Sequence, residues 1–419
     1  MATAPSGLSS LIKDHLAGGA SRLAALLLTQ IRPVSSVVSP CQTGAALRDL
    51  VLVQRGQATS IGARARVAIA VAAVLLTGGW TSRAFDVSPV ALSCRQVIPA
   101  TDQPPTWISP ADPKTRSVLA RWCETVGPVL FQPRLAVAPV PMDRLAIVSW
   151  NIHEDGGDVD DLTRRLRRGE FTGGEPIEAF VLLLQEATRR DGTVPARVPK
   201  GYPVPRSISS HRGSRGTGIG RFADDGLAVL YAPSMRNGDT RANDDAEDRG
   251  NAILSTLPLL EPRIVELPLE HQRRVAVAAA VDGRTRAGVP WRLDLVNVHL
   301  DTALALLHGG PFTARARQVR ALLEALGPPR DPAAGRAAVG IAGDLNTWRG
   351  AGEPAVRILR GVFPDTPPTD RAATWRGPFG MHATLDHIFV RGAMAPSRVT
   401  RLPSRFGSDH YPLLTIVRF

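Results

Sequence analysis

The stretch IAGDLNTW, residues 341–348, most constrains what this chain can fold into: an apolar run from Ala337 to Ala342 ends on Asp344 and Asn346. Such a run reads as a buried strand, and Gly343 lets the backbone turn so that the two polar side chains project from the strand end. Alone, a polar residue after a strand is most often a turn former or helix cap. Here the design recurs five more times, as apolar β-rich segments with a lone acid, amide or imidazole at the mouth. The residues are Asn151, Glu186, His299, Asp386 and the pair Asp409 and His410. A fold that uses them together must bring several strand ends to one edge.

Strands are expected at 145–150, 180–184, 226–233, 249–256, 275–281, 292–298, 337–342, 387–390 and 413–417. A helix is expected after Asp158, with acids Asp160 and Asp161 in its first turn, bases Arg164 to Arg168 in its last and a stop at Gly169, as the helix dipole favours. Thr313 to Leu326 carries a stripe of Ala316, Val319, Leu322, Leu323 and Leu326, and a short helix starts at Pro354. Strand and helix do not alternate strictly. The pattern therefore predicts an α+β domain over residues 143–419, two packed sheets with helices outside.

Ahead of that domain the character differs. Residues 1–83 read as a leader with a signal or anchor segment at 64–80. Its apolar core Val67 to Leu76 is too short to span a bilayer but follows Arg64 and Arg66, as in a signal peptide. A buried helix is the alternative. Residues 84–142 contain Pro104, Pro105, Pro110, Pro113, Pro128 and Pro133 and read as a linker or strap with one helical turn near Val118 to Trp122. Cys94 and Cys123 form a disulfide if the protein is exported and stay as two thiols otherwise. A secreted or membrane-anchored protein is expected, with a cytoplasmic one as the alternative.

The formal charge of +12 is unevenly spread: residues 1–142 hold 13 basic and 6 acidic residues, residues 143–419 hold 37 and 32. The carboxy-terminal domain is thus only mildly basic, and its cations concentrate in the loop 202–225 at Arg206, His211, Arg212, Arg215 and Arg221. Such a loop could contact a polyanion, although loops of this composition are commonly just solvated. No Cys-x-x-Cys or Cys/His spacing points to zinc.

The polar residues at the strand ends suit a hard divalent cation, which takes carboxylate and amide oxygens and leaves positions for water and phosphate. Glu186 is the natural anchor, with Asn151 and Asp409 completing the shell. Phosphoester hydrolysis also needs an activated water and a protonated leaving group. Asp386 paired with His410 makes an oriented base, and His299 falls on the phosphate or near the leaving oxygen.

The series SWNIH, LLLQEA, GLAVLY, RGNAILS, NVHLD, GDLNTW, LDHIFV and SDHYPL resembles, in order, the motifs of the endonuclease/exonuclease/phosphatase superfamily over residues 144–419. That superfamily includes deoxyribonucleases, abasic-site endonucleases, sphingomyelinases and inositol-phosphate phosphatases. The resemblance implies a four-layer αββα sandwich and magnesium-dependent cleavage of phosphoesters, with manganese as a substitute. It implies metal and phosphate contacts at Asn151 and Glu186, and catalytic roles for His299, Asp344, Asn346, Asp386 and His410, with Asp409 beside them. Tyr231, Arg249, Asn251 and Arg274 fall where the family often places substrate contacts, although Tyr231 fits equally as a core ring. No acid partner for His299 is evident. The expected function is a phosphodiesterase, a nuclease before a lipid phosphodiesterase or inositol phosphomonoesterase, acting as a monomer without an obligate protein partner. A non-catalytic binding protein would have lost Glu186 or His410, and both are present.

Overall fold

The computed structural model describes residues 85–86 and 93–419, apart from 135–140, 199, 204–217, 238–245, 303–309, 328–336, 367–371 and 393–397. The segment 64–80 and the loop residues Arg206, His211, Arg212 and Arg215 lie outside the described residues. In chain order the strands are β1 (Phe85–Asp86), β2 (Val97–Ile98), β3 (Thr106–Pro110), β4 (Val129–Gln132), β5 (Arg144–Asn151), β6 (Phe180–Arg189), β7 (Ala228–Arg236), β8 (Asp248–Ser255) and β9 (Leu260–Glu266). They continue as β10 (Val275–Arg284), β11 (Pro290–His299), β12 (Ala337–Asp344), β13 (Trp375–Arg376), β14 (His382–Ala383), β15 (Asp386–Arg391), β16 (Thr400–Arg401) and β17 (Leu413–Arg418). One sheet runs β1-β3-β9-β10-β11-β12-β15 and the other β16-β17-β5-β6-β8-β7-β4-β2, while β13 and β14 form a separate hairpin.

The two sheets pack face to face because their strands are apolar on both sides, and alternation along each strand decides which side serves which layer. In β5, Leu145 and Ile147 enter the core between the sheets, with Val277, Leu295 and Ile388 from the other sheet. Ala146, Val148 and Trp150 face the opposite way, onto the helix α2 (Val159–Arg167) through Leu162 and Leu166. On the far face of the other sheet, Ala276, Val298 and Ile341 pack against α4 (Gly310–Leu326) and α5 (Pro354–Val362) through Val319, Leu322 and Leu359. The layers are therefore helix, sheet, sheet, helix, as expected. Helix α2 begins where its sequence requires, Asp158 accepting the Asp161 amide at 2.9 Å, and Gly169 follows in the left-handed conformation at φ 76°.

Of the two expectations for residues 84–142, linker or strap, the described residues fit the strap, which is part of the fold. Residues 94–132 form a real helix, α1 (Pro113–Cys123), and supply β3 to one sheet and β2 and β4 to the other. Cys94, Trp107, Cys123, Val126, Val129 and Phe131 are buried in the core between the sheets. A disulfide joins Cys94 to Cys123. Below it Glu266 accepts from Arg95 at 2.8 Å and Ser109 at 2.6 Å through one oxygen, and from Arg273 at 2.8 Å through the other. Arg273 also donates to the Pro233 and Ser234 carbonyls at 2.8 and 3.1 Å, and so ties the strap to both sheets. The described residues from Phe85 to Phe419 accordingly belong to one compact unit. No helix among the described residues is long and apolar enough to cross a membrane.

A fragment starting at Arg144 should show no cooperative thermal transition, whereas one starting at Ser82 should melt cooperatively by circular dichroism. Replacing Cys94 and Cys123 by Ser should cost about 3 kcal/mol of unfolding free energy, as expected for a link across 29 residues. A cooperative, unshifted melt of the Arg144 fragment would return the strap to linker status.

Candidate active site

Strand direction assembles the site. β5 and β6 run parallel, as do β11 and β12, so Asn151, Glu186, His299 and Asp344 emerge at carboxy-terminal ends. β15 and β17 run antiparallel to these neighbours and begin at the same edge, bringing Asp386 and the Asp409 and His410 pair. His299, Asp344 and Asp386 are direct register partners across three adjacent strands and so share one face. Gly343 is required here: its φ of 151° and a Cβ that would overlap the Val298 carbonyl exclude any side chain.

Glu186 reaches the mouth through a bulge. The β6–β8 register slips between Gln185 and Ala187, and Glu186 takes a left-handed φ of 55°. Gln185 can then turn inward, donating to Asn297 Oδ1 at 2.7 Å, while Glu186 stays partly exposed with Oε1 4.0 Å from His299 Nε2.

Asp344 is the hub. It accepts from Asn151 Nδ2 at 3.0 Å and from the Asn346 amide at 2.8 Å. His299 Nε2 and His410 Nε2 stand 3.5 and 3.7 Å from its Oδ2. His410 is oriented from behind by Asp386, 2.8 Å from Nδ1. Thr374 Oγ1, accepting the Leu385 and Asp386 amides at 2.9 and 3.1 Å, holds that segment in place. Asp409 accepts from Trp375 Nε1 at 2.8 Å, and its other oxygen lies 3.3 Å from His153 Nδ1 and 3.9 Å from His410 Nε2. Asn346 donates to the Leu300 carbonyl at 3.0 Å, which steadies the turn after Asp344.

These contacts push the titrating groups apart. Burial would depress His410, but the Asp386 and Asp344 carboxylates outweigh it and favour the imidazolium. His299 is driven well below its ordinary value by burial and then by the cations Arg274, Arg249 and His410, so it stands neutral. Burial raises the Asp344 carboxyl and His410 draws it back. Glu154 is pushed up to about 7 by burial against the pull of Arg249.

The donor set fits a hard cation. Single ligand atoms of Asp344, Asp386 and His410 lie within 4.8 Å of one another. Among the described residues none hydrogen-bonds to buried Asp386 Oδ1, which leaves a carboxylate oxygen for an ion or water, while Asp409 Oδ1 faces His153. Asn151 is less free than expected, because its Oδ1 already accepts the His153 amide at 3.0 Å.

Of the expected substrate contacts, two reach the site. Arg249 pairs with Glu154 and lies close enough to depress His299. Arg274 is buried beside Glu186, Asp344 and Asp301, and no described residue accepts a hydrogen bond from its Nε. Tyr231 is a core ring: its hydroxyl donates to Asp248 at 2.6 Å, and Asp248 is held by Arg189 and the Gly127 amide, both at 2.8 Å. Asn251 is turned between the sheets, donating to the Val275 carbonyl at 2.6 Å. Both amide and phenol are consumed by the scaffold.

Sequence reasoning missed the turn after β5. His153, Glu154 and Asp155 are consecutive left-handed residues at φ 49°, 53° and 61°, a conformation costing about 1 kcal/mol or more per residue. Each is held by its side chain: His153 by Asp409, Glu154 by Arg249 and Asp155 by the Thr188 amide at 3.2 Å. The only advance signal was the Gly156–Gly157 pair that lets such a turn close.

The sequence profile described as the Endonuclease/Exonuclease/phosphatase family matches residues 148–410. Among solved structures, an endonuclease/exonuclease/phosphatase from Beutenbergia cavernae DSM 12333 is 20% identical, covering 66% of this chain and 72% of that one at a TM-score of 0.39. A family protein from Leptotrichia buccalis C-1013-b is 11% identical over 66% and 100%, at 0.41. The human Nocturnin catalytic domain with bound sulfate is 16% identical over 67% and 96%, at 0.39. No curated protein matches the sequence.

Replacing Asp386 by Asn should lower the His410 pKa, because burial then acts without its nearest carboxylate. Histidine NMR titration would show the midpoint falling, and turnover should drop by roughly 10²- to 10⁴-fold. An unmoved midpoint would mean that Asp386 does not set the proton on His410.

Proposed function

The chain belongs to the Endonuclease/Exonuclease/phosphatase family of phosphoester hydrolases, and we propose that it is a divalent-cation-dependent phosphodiesterase. The observation that carries this is Asp344 facing two histidine nitrogens of opposite protonation preference, beside the buried Asp386 Oδ1, to which no described residue donates a hydrogen bond. Glu186, Asp386 and Asp409, with Asn151 and Asp344, would hold a magnesium or manganese ion. Such an ion supplies charge neutralisation of the phosphoryl oxygens and a more acidic water.

The remaining steps belong to the side chains. Arg274, buried and with no described residue accepting a hydrogen bond from its Nε, is placed to bind an anionic phosphoryl oxygen. Asp344 and Asn346 orient the attacking water from one side. His410, fixed by Asp386, presents Nε2 toward Asp344 and is placed to take the water's proton; a bound cation would offset the carboxylates that raise its pKa. His299, neutral and beside Glu186, sits on the phosphate or near the leaving oxygen.

The expectation of a nucleic-acid substrate drew on the loop 202–225. Its one described cation, Arg221, is committed to Asp160 at 2.7 Å and Asp225 at 3.5 Å. Export is part of the proposal and is supported by the Cys94–Cys123 disulfide, since such links persist in oxidising compartments.

The full chain should cleave a chromogenic phosphodiester with magnesium or manganese and lose that activity to chelator. Glu186→Gln should reduce turnover at least ~10²-fold with an unshifted melting temperature. Undiminished turnover in chelator, or in Glu186→Gln, would remove the cation from the mechanism.

A further inference from the structure

Among the described residues the large apolar side chains left exposed are Val118, Trp348, Phe379 and Met381. Three of these four lie on segments tied to the catalytic mouth. Trp348 comes two residues after Asn346 and stands edge-on to Trp375, ring centroids 5.2 Å apart. Trp375 opens the β13–β14 hairpin, which Gly377 and Met381 close with a 2.9 Å hydrogen bond, and Phe379 is its tip. Phe379 is 103% exposed, Met381 49% and Trp348 44%. Phe379 is also left-handed at φ 56°, unfavourable for a bulky residue, and its ring gains nothing inside the protein in return.

We propose that this hairpin and Trp348 form a wedge that docks the mouth of the site onto an anionic phospholipid surface. The wedge is fastened to the chemistry. Trp375 Nε1 donates to Asp409, the Arg376 amide to the Asp409 carbonyl at 3.0 Å, and the Tyr411 amide to the Thr374 carbonyl at 2.7 Å. Whatever Phe379 enters, the Asp409 and His410 edge must face. Charge selects the surface. Residues 372–384 include Arg376 and His382 but no acid, and Arg349 follows Trp348 directly. Arg376, Arg401 and Arg405 gather over the Tyr411 ring at 5.9, 4.0 and 5.9 Å. An apolar tip with guanidiniums gathered behind it over Tyr411 matches a layer of anionic headgroups above acyl chains. A nucleobase would ask for a ring backed on one face, and Phe379 is backed on neither. Docking stands apart from the hydrolase reading; only the further statement, that the surface carries the phosphodiester substrate, rests on it.

The test is co-sedimentation of the full chain with vesicles of phosphatidylcholine alone or mixed with phosphatidylglycerol, with soluble phosphodiester turnover followed in parallel. Wild type should bind the mixed vesicles and release with added salt. Phe379→Ser with Met381→Ser should bind at least about tenfold more weakly while soluble turnover stays unchanged. Equal binding by variant and wild type would overturn the proposal. So would loss of soluble turnover together with binding, which would make the hairpin part of the catalytic fold, or capture of duplex DNA rather than vesicles through the same two residues. If no protein turns over the soluble phosphodiester, the vesicle comparison still decides docking and only the hydrolase reading fails.

Discussion

One hydrogen bond, Asn151 to Asp344, joins the mouth of one sheet to the mouth of the other. Asn151 ends β5 in the eight-stranded sheet and Asp344 ends β12 in the seven-stranded sheet. Packed sheets stay close in mean direction and about 10 Å apart, so side chains at their common edge can meet only if both sheets end in register. That condition is met by strand lengths and by Gly343, which lets β11 and β12 approach at their ends. Asp344 then collects two histidines and an amide that come from three other strand ends. Charge follows from this convergence: a buried carboxylate beside buried cations makes one imidazole hold its proton and the other give it up.

Much of this was legible in the sequence, because apolar runs with a polar terminus are visible as text. The residues at 151, 186, 299, 344, 346, 386, 409 and 410 all lie in one cluster of contacts. Tyr231 and Asn251 misled for a physical reason. Both lie in mid-strand, and which face a strand residue uses depends on pairings that composition does not display. Glu186 was found by its position after five apolar residues, but the bulge that aims it was invisible. The left-handed turn at 153–155 was equally hidden, since its cost is met by Asp409, Arg249 and Thr188 from distant parts of the chain.

The prolines of 84–142 suggested a linker or strap with a single helical turn, yet Pro110, Pro113 and Pro128 sit where regular structure tolerates proline. Pro113 is at the first position of α1, with Asp112 capping the Thr115 amide at 2.9 Å, and Pro110 ends the short strand β3. Pro128 lends its carbonyl to Arg189 at 2.6 Å. Proline density marks where regular elements are short, and short elements at a sheet margin can still be fully built into a fold.

The strap has a consequence for solubility. β1 and β3 close the margin of one sheet beside β9, and β2 and β4 close the margin of the other beside β7. Without them both sheets would end on long, flat strands with unpaired amides and carbonyls, a template onto which a second molecule can add its own strand. The disulfide between Cys94 and Cys123, by holding the strap in place, thus also guards the molecule against self-templated association.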